Sequence, residues 1–209
     1  MLTLIGGPPR CGKSSIARAL ATISSSSFLP ADYLTSAVAG YLNDEDTARL
    51  LPRLPGTFRD NDAKYENFSI DRIVENYRTK ATSSWVAVRA VAEYAHADGN
   101  TFVIEGYQIE PQPVASLRDD LGAEAVRCLF AYRTDVEATL GALQRHRGPN
   151  DWAHEFTLRP QTLGRIAEMI CTYGTAIAAE AQLLGLPTIS MDGDFADRVE
   201  EALAMLSSG

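Results

Sequence analysis

The sequence predicts an α/β fold, a mostly parallel sheet with helices on both faces. Three observations carry that expectation. Short apolar runs alternate with amphipathic runs along the chain, an order that requires crossover connections and therefore parallel strands covered on both sides. The first apolar run ends in a glycine-proline turn that opens straight into a helical pattern. The composition is ordinary for a globular chain, 45% apolar and 22% charged over 209 residues, which argues against disorder and leaves room for one domain spanning 1–209 with a mobile insert.

Leu2, Leu4 and Ile5 read as a short buried strand stopping at Gly6-Gly7-Pro8-Pro9. A helix is expected from about Lys13 to Thr22, turning Ile16, Ala17 and Leu20 inward. Ser24–Ser27 is a polar turn, Ser27–Pro30 a second strand, and Asp32 follows at once, with a helix over about Tyr33–Leu42. Residues 43–68 are the least regular: a short helix near Asp46–Leu51, then a loop through Pro52, Pro55, Gly56 and Arg59-Asp60-Asn61-Asp62. The strongest helical stripe comes next, with Ile70, Ile73, Val74, Tyr77, Ala81, Trp85, Val88 and Ala92 on one face. Ser69 suits its N-cap and Gly99-Asn100 its stop, giving a helix of about 40 Å at 1.5 Å per residue. Trp85 and this aromatic stripe read as core.

Thr101–Ile104 is a strand leading into Glu105-Gly106, and Val126–Tyr132 is another. Thr134 and Glu137 read as a capping box for a helix running to about Gln144, broken by Gly148-Pro149-Asn150. Leu163, Ile166, Ile170, Tyr173, Ile177 and Leu184 mark a helix over 160–184, Pro187–Met191 a last strand, and Val199, Ala202, Leu203 and Leu206 a closing helix.

The net charge of −8 makes a grip on nucleic acid or an anionic membrane through bulk charge a poor fit. No apolar stretch approaches a membrane span and no leader pattern is visible, so a soluble cytoplasmic protein is expected. The three cysteines, Cys11, Cys128 and Cys171, lack metal spacing and read as reduced thiols; His96, His146 and His154 are scattered and read as surface residues. Only Lys13, Lys64 and Lys80 are lysines; the other basic residues are arginines, from composition bias or from a need for planar donors to phosphate or carboxylate.

Gly7-Pro8-Pro9-Arg10-Cys11-Gly12-Lys13-Ser14 satisfies G-x-x-x-x-G-K-[ST] at every position, after a strand and before a helix. Glycines let successive backbone N–H groups turn inward around a phosphate, and the helix adds its positive end. Lys13 supplies charge to the β- and γ-phosphates and Ser14 a hydroxyl to Mg²⁺. Glu105, at a strand end, suits a water-mediated magnesium ligand or is a solvated carboxylate. Asp32 could take or orient the proton of an attacking hydroxyl, or serve as the N-cap of its helix. Arg145 and Arg147 could offset charge on a transferring phosphoryl group, or answer a helix dipole. Arg133 is a weaker candidate for the same work. Cys11, beside Lys13, reads as inert.

The phosphate loop, Glu105-Gly106 and the paired arginines resemble the P-loop small-molecule kinases, the group with adenylate, shikimate and nucleoside kinases. A closer likeness, to the 2-phosphoglycerate kinase-like branch, rests on Gly12-Lys13-Ser14-Ser15, Asp32 and the long helix leading into Ile104-Glu105-Gly106-Tyr107-Gln108-Ile109-Glu110-Pro111. The resemblance implies a three-layer α/β/α sandwich with a five-stranded sheet and a small lid. It also implies ATP as donor, with Gly7 through Ser15 binding it. That branch often has His where this chain has Gln108, and Cys171 stands where a basic residue is expected.

Together these readings describe transfer of the γ-phosphoryl group of MgATP to a hydroxyl, or a phosphate, of a small-molecule acceptor. Lys13, Asp32, Arg145 and Arg147 would be catalytic, Ser14 and Glu105 on the metal, residues 43–80 over the acceptor with Arg59, Arg78 and Lys80 as anion contacts, and 140–157 as a lid. An NTP-binding regulator or a simple NTPase coupled to a partner is the second class; within kinases the alternatives are a nucleoside or nucleotide kinase and an antibiotic hydroxyl phosphotransferase. Neither the acceptor nor the oligomeric state is specified by the sequence.

Overall fold

A computed structural model describes residues 1–147 and 151–207. In chain order the elements are β1 (Leu2–Gly6), α1 (Lys13–Ser24), β2 (Ser27–Pro30), α2 (Ala31–Ala39), α3 (Asp44–Leu50), α4 (Asn61–Asn67), α5 (Ile70–Ala97) and β3 (Phe102–Glu105). They continue with α6 (Pro111–Leu121), β4 (Val126–Tyr132), α7 (Val136–Arg145), α8 (Trp152–Glu155), α9 (Gln161–Leu183), β5 (Thr188–Ser190) and α10 (Phe195–Ser207).

The strands form one parallel sheet in the order β2-β3-β1-β4-β5. Central β1 places Leu2 opposite both Phe102 and Val126. It is buried from end to end, as a strand sandwiched between helical layers must be. Helices α1 and α10 cover one face; α5, α6 and α9 cover the other. This is the expected three-layer sandwich. All strands point the same way, so their C-terminal ends collect the phosphate loop, Asp32, Glu105 and Arg133 along one edge.

The stripe over 70–97 is the 28-residue α5, with the Ser69 hydroxyl accepting from Arg72 N at 3.3 Å. Its Ile73, Val88 and Ala92 are fully buried and Trp85 packs against the core. Each such aliphatic side chain the size of valine or larger contributes about 1.5–3 kcal/mol on burial.

Some local expectations need correction. Helix α2 begins at Ala31 with Pro30 as N-cap, so Asp32 lies inside the first turn and caps nothing. Helix α7 is capped by Asp135, whose carboxylate accepts from Ala138 N at 2.9 Å. Thr134 is no partner in a capping box; its N–H and hydroxyl both donate to Asp192 at 2.9 Å. The stretch read as a loop after Leu51 contains α4, capped by Asp60. Helices α6 and α8 were not anticipated. Pro111 and Pro113 look like breakers, but in a first turn they give up N–H groups that have no intrahelical partner anyway. The expected break at Gly148-Pro149-Asn150 lies outside the described residues. Among the described residues no helix is long and apolar enough to cross a membrane.

Candidate active site

The loop between β1 and α1 is shaped by backbone that most side chains would not tolerate. Gly7 has φ +129°, and a Cβ there would sit 2.0 Å from the carbonyl oxygen of Ala131 on β4. Gly12, N-cap of α1, has φ +79°, and its Cβ would meet the Phe195 ring at 2.8 Å. Arg10 also lies at positive φ, +66°. Such residues alternating with ordinary backbone turn amide hydrogens to one side, the geometry of an anion nest. Pro8 and Cys11 are buried and Pro9 half-buried, so the loop is anchored from behind.

Lys13 is buried, and its Nζ donates to Pro8 O at 2.6 Å, which holds the ammonium over the loop. Ser14 and Ser15 are exposed at the mouth. The Ser14 hydroxyl donates to Glu105 Oε1 at 2.9 Å. Glu105 is 7% exposed, so the solvated-carboxylate reading does not hold. A hydroxyl and a carboxylate in contact beside an anion nest fit a hard, oxygen-seeking cation that also binds phosphate. Among the described residues no group of three or more His, Cys, Asp or Glu could hold a metal ion. Burial pushes the Cys11 thiol up to about 12 against the pull of Lys13 and Arg133, which agrees with the inert reading.

A cleft of about 760 Å³ opens over the loop, bounded by the end of α7 and the turn before α10. It brings together Lys13, Ser14, Ser15, Arg133, Arg145 and Arg147. Arg145 and Arg147 are exposed at its rim. Arg133 is more deeply set than its weak sequence signal suggested. It is 7% exposed, its Nε has no partner, and the Asp192 carboxylate is 3.8 Å from NH1. Arg10 is not aimed at the nest. Its guanidinium pairs with Asp151 at 3.2 Å and donates to His146 O at 2.7 Å, tying the loop to the segment between α7 and α8. His154 departs from the surface reading. It is half-buried, with Nε2 2.8 Å from Leu143 O, so that nitrogen carries the hydrogen. His96 and His146 are exposed as expected.

Asp32 stands apart from this cleft, at the far side of the Glu105 strand end. Gln108, fully buried, donates from Nε2 to Asp32 Oδ1 at 2.7 Å and to Thr35 Oγ1 at 3.1 Å. The amide fixes one carboxylate oxygen and leaves the other without that bond. Gln108 thus takes a positioning place that the sequence marked only as a departure. Cys171 is no substitute for a missing cation. It is buried between α7 and α9, 3.5 Å from the Thr139 hydroxyl, and burial raises its thiol above the ordinary value.

Of the anticipated anion contacts near Asp32, Arg78 is committed elsewhere, to Glu110 at 3.0 Å and to Glu180. Arg59 lies over the rings of Phe58 and Phe156 at 5.5 and 5.6 Å. Lys80 instead faces Tyr77, joined there by Lys64, a residue the sequence singled out only by its rarity.

Among solved structures, the chain is similar to an unliganded sugar kinase from Janibacter sp. HTCC2649, with a TM-score of 0.55 and 16% identity, over 99% of this chain and 94% of that one. It is also similar to shikimate kinase from Bacteroides thetaiotaomicron, with a TM-score of 0.51 and 8% identity, over 99% and 96%. No family model and no curated protein matches the sequence. At such identities the likeness shows the fold alone, an α/β sandwich matched over nearly the whole of this chain.

Proposed function

We propose that the protein transfers the γ-phosphoryl group of MgATP to a hydroxyl of a small-molecule acceptor. The observation that carries this reading is an anion nest, a Ser14–Glu105 pair and an Asp32 carboxylate held by Gln108, all along one sheet edge. The nest and pair suit a triphosphate with its metal; Asp32 suits the acceptor. The sequence resemblance to the 2-phosphoglycerate kinase-like branch agrees at Lys13, Asp32 and Glu105-Gly106, and departs at Gln108.

Bound MgATP supplies the phosphoryl group and the charge of the divalent ion. The chain's own residues do the rest. Backbone amides from Gly7 to Ser15 would hold the phosphate tail, and Lys13, whose ammonium lies over the loop, would supply positive charge to it. Ser14 and Glu105 would hold the divalent ion, whose charge would offset that of the phosphates. Arg133 from the cleft floor, and Arg145 and Arg147 from its rim, offset the charge that spreads over the phosphoryl oxygens in flight. The Asp32 oxygen not engaged by Gln108 takes the acceptor's proton as its hydroxyl attacks. Residues 140–157, of which 148–150 lie outside the described residues, would act as a lid carrying both rim arginines, and residues 43–80 would cover the acceptor. Closing both would exclude water, so that transfer outruns hydrolysis.

The test is ATP turnover with magnesium, with and without a pool of hydroxylated metabolites. Acceptor-dependent ADP release, abolished by Lys13→Ala, is expected. Turnover that ignores every acceptor would favour the partner-coupled NTPase, and absence of nucleotide binding would end both readings.

A further inference from the structure

Near Asp32 three cations converge without a counter-charge. Lys64 on α4 brings Nζ to 4.7 Å from the centre of the Tyr77 ring, and Lys80 on α5 brings its own to 6.0 Å from the same ring. Arg53, in the turn after α3, is close enough for its charge to bear on Lys80, and lies 4.5 Å over the Phe58 ring. Among the described residues no carboxylate comes within ion-pair distance of any of the three. That is unexpected in a chain with 27 acidic and 19 basic residues. Other arginines here do find carboxylates, as Arg49, Arg78, Arg89, Arg159 and Arg198 do.

For the fold the cluster offers cation–π contacts with Tyr65, Tyr77 and Phe58 but no ion pair. Both lysines are half-buried, and burial pushes their ammonium groups down to about 8, with Lys64 and Arg53 adding to the effect on Lys80. Gathering like charges in a partly desolvated place costs stability unless something negative arrives. The direction in which it faces is set by the tyrosines. Tyr77 packs edge-on to Tyr107, centroids 5.2 Å apart, and the Asp32 carboxylate lies near enough to both phenols to raise them further than burial alone does. Beside them Tyr65 is 4% exposed, with a hydroxyl that has no hydrogen-bond partner among the described residues.

We infer that Lys64, Lys80 and Arg53 form the subsite for an anionic group on the acceptor, a carboxylate or phosphate ester, held so that a hydroxyl of the same molecule meets Asp32. This rests on the kinase reading and narrows it: the acceptor is a hydroxylated anion, not a neutral polyol or nucleoside. The triphosphate is provided for elsewhere, by the nest and the arginines of the cleft, so the cluster is not a second half of that site.

The test is a titration followed by thermal shift and calorimetry, run on protein with magnesium and β,γ-imido-ATP and repeated without nucleotide. Three arms are compared: short hydroxy-carboxylates, phosphate monoesters of polyols, and the uncharged polyols and nucleosides. Saturable binding confined to one anionic arm is expected, and that arm identifies the source of the charge. Lys64→Met and Lys80→Met should each weaken that binding by about tenfold or more, the loss of one charge-assisted contact. The imido-ATP shift should persist in both. The empty variants should melt higher than wild type, because an unpaired desolvated cation is gone; this readout also shows that they fold. Lys64→Gln serves if the methionine variant does not. Neutral ligands binding as well as anions, no binding in either anionic arm, or unchanged anion affinity in the variants would overturn the inference. A missing imido-ATP shift alone would instead strike the kinase reading, and the nucleotide-free titration would still decide this one.

Discussion

At Gly7 one hydrogen atom separates a working loop from a broken one. A methyl group would stand 2.0 Å from backbone of a neighbouring strand, at a φ that alanine avoids. Neither backbone nor strand can yield cheaply, so Gly7→Ala should cost about 3 kcal/mol or more and abolish nucleotide binding, measurable by denaturation and calorimetry. Lys13→Ala and Asp32→Asn separate donor from acceptor chemistry. Lys13→Ala should remove nucleotide-dependent turnover, whereas Asp32→Asn should keep nucleotide affinity and lower kcat by about 10²–10⁴-fold. Full activity in Asp32→Asn would remove the base assignment.

The two clustered lysines also make a pH prediction. Their pKa is lowered on folding, from 10.5 to about 8, so the unfolded chain binds more protons between those values and stability should rise as pH climbs through that window. Besides each other, the groups facing them are Arg53, Tyr65 and Tyr77. An anion held there restores the ammonium, so calorimetry above pH 8 in buffers of different ionisation heat should show proton uptake on binding. At this scale the sequence was legible where chemistry is local. Gly7 through Ser14 is a contiguous motif, and Glu105 is one strand end. The Gln108–Asp32 bond, 76 positions apart, and the meeting of Lys64 with Lys80 at Tyr77 depend on how helices cross, which no spacing reveals.

Elements were legible in proportion to their burial. Helix α5 and strands β1 and β4 carry buried apolar patterns and sit where those patterns placed them. Helices α4 and α8 are short and polar and held by tertiary bonds, so their patterns say little. Asp62, in the first turn of α4, shows how. Its carboxylate accepts from Leu158 N at 2.9 Å, Arg159 N at 3.1 Å and the Thr162 hydroxyl at 2.5 Å. Burial alone would raise its pKa, but those hydrogen bonds outweigh it and hold the group below the ordinary carboxylate value. A carboxylate depressed on folding contributes stability above its unfolded pKa, and that contribution fades as pH falls through the folded value. Asp62→Ala should cost about 2–4 kcal/mol at neutral pH, read by urea denaturation, and less in acid. Since α4 also carries Lys64, the variant should weaken acceptor binding along with the fold.

Across the whole molecule, Arg10 joins two parts that must move relative to one another if the lid closes. It belongs to the nest by backbone and to the lid segment by side chain, through Asp151 and His146 O. Arg10→Ala should leave the loop's backbone in place and loosen that segment, raising amide exchange over residues 151–157 and lowering kcat by about tenfold, while Arg145→Ala and Arg147→Ala should each lower kcat by about 10–10³-fold without loss of nucleotide binding. Hydrogen exchange and steady-state kinetics distinguish the cases. An unaltered kcat in all three would leave the lid without a role.

The central position of β1 has a consequence for how the protein is made. Leu2 is paired to Phe102 and Val126, and Gly7 rests against Ala131, so β1 is synthesised well before the neighbours it needs. At roughly 5–20 residues per second, it waits on the order of ten seconds for β4 to be synthesised, its apolar side chains unsheltered meanwhile. A nascent chain stalled before residue 126 should therefore lack any grip on triphosphate although its motif is complete.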